Sequence, residues 1–204
     1  NAIAGAQEHG VYAYMKHFAL NDQEGNRNCM AATWSNEQAI REIYLKPFEM
    51  SVKDADCHAV MSSFNYIGNR WAGGCSELLQ NVLRGEWGFL GFVETDYFGV
   101  YGYMTADQAV RNGGDLMLCT TGNDYNNVTV LTNSSKQAMR TSAKNILYTV
   151  VNSRAYEAEN LNPGMAKWKV IMIGADVVVA LLIVGLEYTA IKNYKKRKEE
   201  EEEV

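Results

Sequence analysis

Residues 85–97 read GEWGFLGFVETDY, and this stretch is the clearest indication of the fold class of the chain. Its apolar part, Gly91–Thr95, is a short run bounded by turn residues, which is typical of a buried β-strand. A helical pattern over Ser76–Glu86 comes directly before it. The strand ends in the carboxylate of Asp96, beside the aromatic side chain of Tyr97. The stretch therefore predicts a helix–strand unit with reactive groups at the carboxyl end of the strand.

The same alternation of apolar runs and helical patterns extends on both sides of this unit. Such an order favours βα units around a parallel sheet. We predict strands at Val11–Phe18, His58–Phe64, Gly91–Thr95 and Asp115–Leu118, and helices at Asn36–Met50, Ser76–Glu86, Thr105–Asn112 and Ser134–Val151.

Four βα units correspond to half of a closed barrel. A doubly wound open sheet is the alternative, but no GxGxxG or phosphate-binding loop follows a predicted strand. Polar residues cluster just after the strand ends, at Lys16, His17, Asn65 and Asp96, and the chemistry of a (β/α)8 barrel sits at that rim. We therefore expect an α/β fold in which residues 1–153 are the C-terminal half of a (β/α)8 TIM-type barrel. The missing strands would then be encoded upstream, and the chain would be a piece of a longer protein.

The charge of the chain excludes one class of function. The chain has 204 residues, 19 Lys and Arg against 24 Asp and Glu, and a net charge of −5. Residues 165–204 carry seven basic and seven acidic groups, so the negative charge belongs to residues 1–164. A nucleic-acid-binding surface needs a net basic face, so no nucleic-acid partner is expected.

Residues 170–186 read VIMIGADVVVALLIVGL and carry one charge, Asp176. A helix of this length reaches about 26 Å, near the thickness of a hydrocarbon core, and Trp168 and Tyr188 place an aromatic residue at each end. Asp176 favours the alternative of a buried globular helix, but the run has no polar stripe. We predict a linker at 154–168, a single transmembrane helix at 169–190 and a charged tail at 191–204. The basic residues after the helix predict a cytoplasmic tail and an extracytoplasmic domain in the cell membrane.

The four cysteines show no metal-type spacing. Cys29, Cys57, Cys75 and Cys119 allow three disulfide pairings in an oxidising compartment, and we expect buried structural thiols rather than disulfides.

Four motifs occur together in this order: KHFALNDQEGNR at 16–27, VMSSFN at 60–65, SELLQNVLRGEWGFLGFVETDY at 76–97 and GGDLML at 113–118. In this combination the chain resembles glycoside hydrolase family 3, in its β-glucosidase branch, from about residue 11 to residue 153. The segment AKNILYTVVNS at 143–153 looks like the barrel end of members with reversed domain order. The resemblance implies a barrel that follows, rather than precedes, an α/β sandwich domain.

The resemblance also implies roles for individual residues. Asp96 matches the nucleophile, Lys16 and His17 match a pair that binds the sugar next to the cleaved bond, and Arg27 matches a further basic residue of that loop. Met61 lies at a substrate-contact position, and Tyr97 follows the nucleophile, where it is expected to stack on a sugar. Phe64 stands where many members have Tyr, so one hydroxyl near the nucleophile is absent.

The implied reaction is hydrolysis of a β-glucoside or short oligosaccharide with retained configuration, through a covalent glycosyl–enzyme. It needs an ionised Asp96, which Lys16 and Arg27 would stabilise, and a second carboxyl group as acid and base. This second group is absent from the matching motifs, so we expect it in the upstream sandwich domain and expect these 204 residues alone to be inactive. No cofactor or metal is implied.

Two alternatives remain. One is a non-catalytic, membrane-anchored carbohydrate-binding or sensor protein. The other is an N-acetylglucosaminidase, which the absence of a KHFPGHG-type loop disfavours.

Overall fold

The computed structural model describes residues 1–98, 101–120, 126–157, 161 and 164–202, with side chains to residue 198. The chain divides into two compact units, Asn1–Glu157 and Ala158–Val204.

Within its described residues, the first unit contains two three-stranded sheets. The strands are β1 (Tyr14–Phe18), β2 (Ala32–Thr33), β3 (Ala59–Ser62), β4 (Tyr66–Ile67), β5 (Arg70–Trp71) and β6 (Phe92–Thr95). The main sheet is parallel in the order β1-β3-β6. This confirms the parallel α/β arrangement and three of the four predicted strands.

The fourth predicted strand, Asp115–Leu118, is wrong as a regular strand. The segment runs beside β6 and forms one isolated bridge, between Glu94 and Leu116. The amide of Leu118 donates to the hydroxyl of Thr95 at 3.2 Å instead of to a strand carbonyl. Backbone bonds still join the two segments, from the amide of Thr95 to the carbonyl of Leu116 and from the amide of Phe98 to the carbonyl of Leu118, but they do not form a regular ladder.

Gly91 allows β6 to lie close to β3. Its φ is +150°, and a Cβ built on it would lie 2.2 Å from the carbonyl oxygen of His58. Only glycine fits so close a backbone approach. Gly91 therefore sets the spacing between β3 and β6.

The helices follow the predicted segments with internal differences, except for one at the start of the chain that was not predicted. They are α1 (Ala2–Glu8), α2 (Glu37–Ala39), a π-helix at Ile40–Tyr44, α3 (Lys46–Lys53), a π-helix at Glu77–Glu86, α4 (Ala106–Arg111), α5 (Asn133–Val151) and α6 (Lys167–Glu202), with 3₁₀ turns at Arg27–Cys29, Ala72–Gly74 and Arg154–Tyr156. The predicted helix start at Thr105 is confirmed, because its side chain accepts a hydrogen bond from the amide of Gln108.

The second sheet, β2-β4-β5, was not predicted. Its strands are two residues long, too short for a periodic pattern. β2 pairs with β4 in parallel, and the hydroxyl of Thr33 donates to the carbonyl of Tyr66 at 2.5 Å. The sheet joins the loop that follows β1 to the loop that follows β3, and so holds two parts of the predicted rim together.

The apolar core of the described residues forms two clusters, and the larger one contains residues of all three strands of the main sheet. Phe18, Val60, Leu79 and Val93 are almost completely buried in it. On β6 the alternate residues Phe92 and Glu94 are only half-buried. The strand period of two therefore separates a core face from a face that leads to Asp96.

A buried ion pair connects four segments behind the sheet. The guanidinium of Arg84 contacts the carboxylate of Asp115 at 2.7 Å, and that carboxylate also accepts from the amide of Val93 and the side-chain amide of Asn145. Burial raises the pKa of Asp115 and lowers that of Arg84, while each charge stabilises the other. The pair fixes β6 against the π-helix Glu77–Glu86 and α5.

All four cysteines are free thiols. Cys57 and Cys75 are buried as expected, whereas Cys119 is half-buried and Cys29 is exposed. The burial expectation is wrong for Cys29, because it is the last residue of the Arg27–Cys29 turn and is exposed there.

The second unit is dominated by α6. Its segment Lys167–Lys198 is, within the residues that the structure describes, the one helix long and apolar enough to cross a membrane. Length and composition make it a candidate span.

Candidate active site

Asp96 follows the last residue of β6, where its carboxylate is held at the end of the sheet. Its amide donates to the carbonyl of Ser62 at 3.1 Å, and its Oδ1 accepts from the amide of Tyr97 at 2.7 Å. The side chain is 14% exposed. Oδ2 lies 3.5 Å from Nε2 of His17 and 3.9 Å from Nη1 of Arg27. One carboxylate oxygen is thus fixed by backbone and the other faces two basic side chains.

Arg27 makes three further contacts, two with residues of its own loop and one with the ring of Phe64. Its Nη1 donates to Oδ1 of Asn21 at 2.7 Å, and its Nη2 lies 3.0 Å from Oε1 of Glu24. Its guanidinium carbon lies 4.9 Å from the centre of the Phe64 ring, within the range of a cation–π contact. The loop at residues 16–27 therefore sets the orientation of Arg27 towards Asp96.

His17 is half-buried beside Asp96. Burial lowers the pKa of its imidazole below the ordinary value of 6.5; the Asp96 carboxylate opposes this shift, and the Lys16 and Arg27 cations add to it. The imidazole is therefore predominantly neutral near pH 7. A neutral imidazole offers one donor and one acceptor, which suits a hydroxyl group.

Lys16 lies beside this contact but not in it. It is exposed, makes no ion pair within 4.0 Å among the described residues, and lines a pocket of about 210 Å³ with His17, Asn21, Asp22 and Phe48. Its ammonium remains available to a ligand in that pocket.

Met61 and Tyr97 occupy different surroundings. Met61 is 8% exposed and is paired in register with Glu94, one position before the last pair of the two strands. Tyr97 is 41% exposed, and its hydroxyl lies 2.8 Å from that of Thr120. The structure thus groups Asp96, His17 and Arg27 in direct contact and leaves Met61 and Tyr97 at the margins.

Phe64 is buried and carries the ring beneath Arg27. Tyr101 packs edge-on against it at 5.4 Å, and the hydroxyl of Tyr103 donates to its backbone carbonyl at 3.0 Å. Sequence reasoning missed these tyrosines, although their YGY pattern follows shortly after Asp96. Phe64 supplies a cation–π surface at the position where a hydroxyl is absent.

Asn65 links the loops around the site. It is completely buried, and its side-chain nitrogen donates to the carbonyl of Gln23 at 2.7 Å. Its Oδ1 has no partner among the described residues. The predicted rim position of Asn65 is thus a structural link between the loop after β1 and the loop after β3.

A parallel sheet that ends in a carboxylate held by histidine and arginine defines the class of the protein. The family model described as "Glycosyl hydrolase family 3 N terminal domain" matches residues 1–147. The chain belongs to glycosyl hydrolase family 3, as its motifs predicted.

Individual relatives agree with this assignment. "Probable beta-glucosidase K" from Emericella nidulans is 41% identical over 114 residues, which cover 56% of this chain and 13% of the relative. "Beta-glucosidase B" from the same organism is 44% identical, with the same shares covered. The chain thus spans about an eighth of the length of these curated relatives.

Solved structures show the same likeness. The beta-glucosidase 3B from Thermotoga neapolitana in complex with glucose has a TM-score of 0.64 at 31% identity, covering 78% of this chain and 23% of that chain. The beta-glucosidase from Kluyveromyces marxianus in complex with glucose has a TM-score of 0.62 at 29% identity, covering 74% and 18%.

Proposed function

We propose that this chain is the nucleophile-bearing part of a retaining β-glucosidase, with Asp96 as the nucleophile. The single observation that carries the proposal is the position of Asp96 at the end of a parallel strand, partly exposed and in contact with His17 and Arg27. The β-glucosidase relatives and neighbours support the substrate class.

The reaction has two steps. First, a carboxylate oxygen of Asp96 forms a bond to the anomeric carbon of a β-glucoside, while the bond to the leaving-group oxygen breaks and that oxygen takes a proton from a general acid. In the second step the general acid, now deprotonated, acts as a base and takes a proton from a water molecule. The water oxygen attacks the anomeric carbon, the bond to Asp96 breaks, and the sugar is released. Two inversions leave the configuration retained.

The neighbouring side chains serve binding and charge. The guanidinium of Arg27 lies 3.9 Å from Oδ2 of Asp96 and so places a positive charge beside the attacking carboxylate. In this mechanism neutral His17 and cationic Lys16 bind hydroxyls of the sugar next to the cleaved bond. Met61 and Tyr97 contact the substrate at the edges of the site.

The acid and base is proposed to come from an α/β sandwich domain encoded upstream. The two carboxylates nearest in sequence to the site residues have other neighbours, since Glu24 pairs with Arg27, and Glu94 helps burial to raise the pKa of the Tyr14 hydroxyl. In the same proposal the three-stranded sheet belongs to the C-terminal half of a (β/α)8 barrel.

We also propose that α6 anchors the enzyme in a membrane. Lys192, Lys195, Lys196, Arg197 and Lys198 follow the apolar run, against Lys167 and Lys169 before it. By the positive-inside rule the tail is then cytoplasmic and the glycosidase faces outward.

The test is an Asp96→Asn variant of the full-length protein, assayed on an aryl β-glucoside. Loss of the nucleophile is expected to lower kcat by about 10⁴-fold or more. The control is Asp54→Asn, which changes an exposed carboxylate distant in sequence from Asp96 and should leave kcat unchanged. A 2-fluoro-glucoside should add one glycosyl unit to the wild-type peptide that contains Asp96. Turnover by Asp96→Asn at the wild-type rate would remove Asp96 from the mechanism.

A further inference from the structure

Trp34 stands out from the other aromatic residues of the first unit. It is 82% exposed, more than any other large apolar side chain of the described residues. Its ring makes no aromatic contact within the part of the chain that the structure describes. Trp71, by contrast, is completely buried, and its indole nitrogen donates to the carbonyl of Ser63. Trp71 serves the core, whereas the indole of Trp34 is exposed to solvent.

Trp34 borders a cavity of the described residues with a volume of about 570 Å³. This volume falls within the range of about 300–1,000 Å³ that small-molecule sites occupy. Tyr44 contributes a second aromatic side chain, and Asp22, Gln23 and Ser35 contribute polar groups. The cavity thus combines aromatic surface with hydrogen-bonding groups.

Asp22 gives this cavity its chemical character. Its carboxylate makes no ion pair or hydrogen bond with any other described residue, although it sits in a loop whose Glu24 and Arg27 are paired with each other. A free carboxylate accepts hydrogen bonds from two hydroxyls at once. An apolar ring beside such a carboxylate suits a pyranose, which has an apolar C–H face and a rim of hydroxyls.

Asp22 also connects this cavity to the candidate active site. It lines the smaller pocket together with Lys16 and His17, so the two cavities share one residue as a common wall. Asp22 is thus the residue at which the two cavities adjoin.

We propose that the cavity beside Trp34 is a sugar-binding subsite for the distal part of a β-linked gluco-oligosaccharide, with Trp34 as the stacking platform and Asp22 as the hydroxyl acceptor. The proposal rests on the glycosidase function proposed above and narrows its substrates to oligosaccharides that reach beyond the cleaved bond.

The test compares substrates of increasing length in the full-length protein. Trp34→Ala is expected to lower kcat/KM for four- and five-unit β-gluco-oligosaccharides by about tenfold, and to change kcat/KM for an aryl β-glucoside by less than twofold. Trp34→Tyr should restore most of the loss, because it keeps an aromatic platform. Ile43→Ala removes a nearby exposed apolar side chain that does not line the cavity and serves as the control.

A second measurement separates binding from turnover. In an Asp96→Asn background, which does not hydrolyse the ligand, Trp34→Ala should raise the Kd of a five-unit oligosaccharide by about tenfold and leave that of glucose unchanged. An equal loss of kcat/KM for short and long substrates would assign Trp34 a structural role and overturn the subsite. Unchanged constants at every length would overturn it too. If the wild-type protein hydrolyses no glucoside, the glycosidase function fails, and the Kd measurement still decides the subsite.

Discussion

His17 and Asp96 meet across an intervening strand, with Nε2 of His17 3.5 Å from Oδ2 of Asp96. β1 and β6 do not pair with each other, because both pair with β3. Their side chains meet where the three strands end at the same level, with Phe18 paired to Ser62 and Ser62 to Thr95; His17 lies in the stretch of β1 where the register shifts. The backbone of Ser62 takes part directly, since its carbonyl accepts from the amide of Asp96. The candidate site is thus a property of the whole sheet.

Replacing Arg27 by Lys is expected to lower kcat/KM on an aryl β-glucoside by about ten- to a hundredfold. The planar guanidinium contacts Asn21, Glu24 and the Phe64 ring while lying 3.9 Å from Asp96, and an ammonium cannot hold all four positions. Arg41→Lys, which changes an arginine in a surface ion pair, is the matched control and should keep wild-type activity. Wild-type kcat/KM in the Arg27 variant would contradict a positioning role.

The stability of the protein should fall as the pH drops below 6.5, in part because of His17. The pKa of His17 is lowered in the folded state, so the unfolded chain binds its proton first. The contribution of His17 to the free energy of unfolding is then constant above pH 6.5. It decreases as the pH falls from 6.5 to the lower pKa of the folded state. Thermal unfolding at pH 7.5 and pH 5 measures the loss, and His17→Gln should show a smaller one. An identical pH dependence in that variant would contradict the assignment.

Removing the charge of Asp115 is expected to destabilise the fold strongly. Asp115→Asn leaves the guanidinium of Arg84 largely buried without its partner, and breaking a buried pair in this way typically costs about 3–5 kcal/mol. The unfolding midpoint in urea, followed by tryptophan fluorescence, should drop clearly. Glu86→Gln, which removes the exposed partner of Arg41, should leave that midpoint unchanged. A double replacement of Arg84 and Asp115 by apolar residues should recover part of the loss, because no unpaired charge remains.

The sequence predicted those parts of the fold that depend on local pattern. The apolar runs at β1, β3 and β6 and the cap at Thr105 are local features, and they are confirmed. The residues Lys16, His17, Arg27 and Asp96 were found through motifs, and the contacts among the last three follow from a sheet whose strand order the pattern alone does not specify. The small sheet was missed because two-residue strands carry no period. The Arg84–Asp115 pair was missed because its partners are 31 residues apart in sequence and meet only after packing.

The protein should fractionate with membranes through α6. A helix that is apolar around its circumference over Val170–Leu186 loses contact with water when it enters a bilayer, and Asp176 lowers but does not remove that gain. The full-length protein is expected in the pellet after washing with high salt, and released by detergent. Deleting residues 165–204 should move it to the soluble fraction, whereas deleting only the tail 191–204 should not. A full-length protein that stays soluble without detergent would contradict the anchor. The orientation is tested separately: a protease added outside intact cells should digest the glycosidase unit but spare the tail.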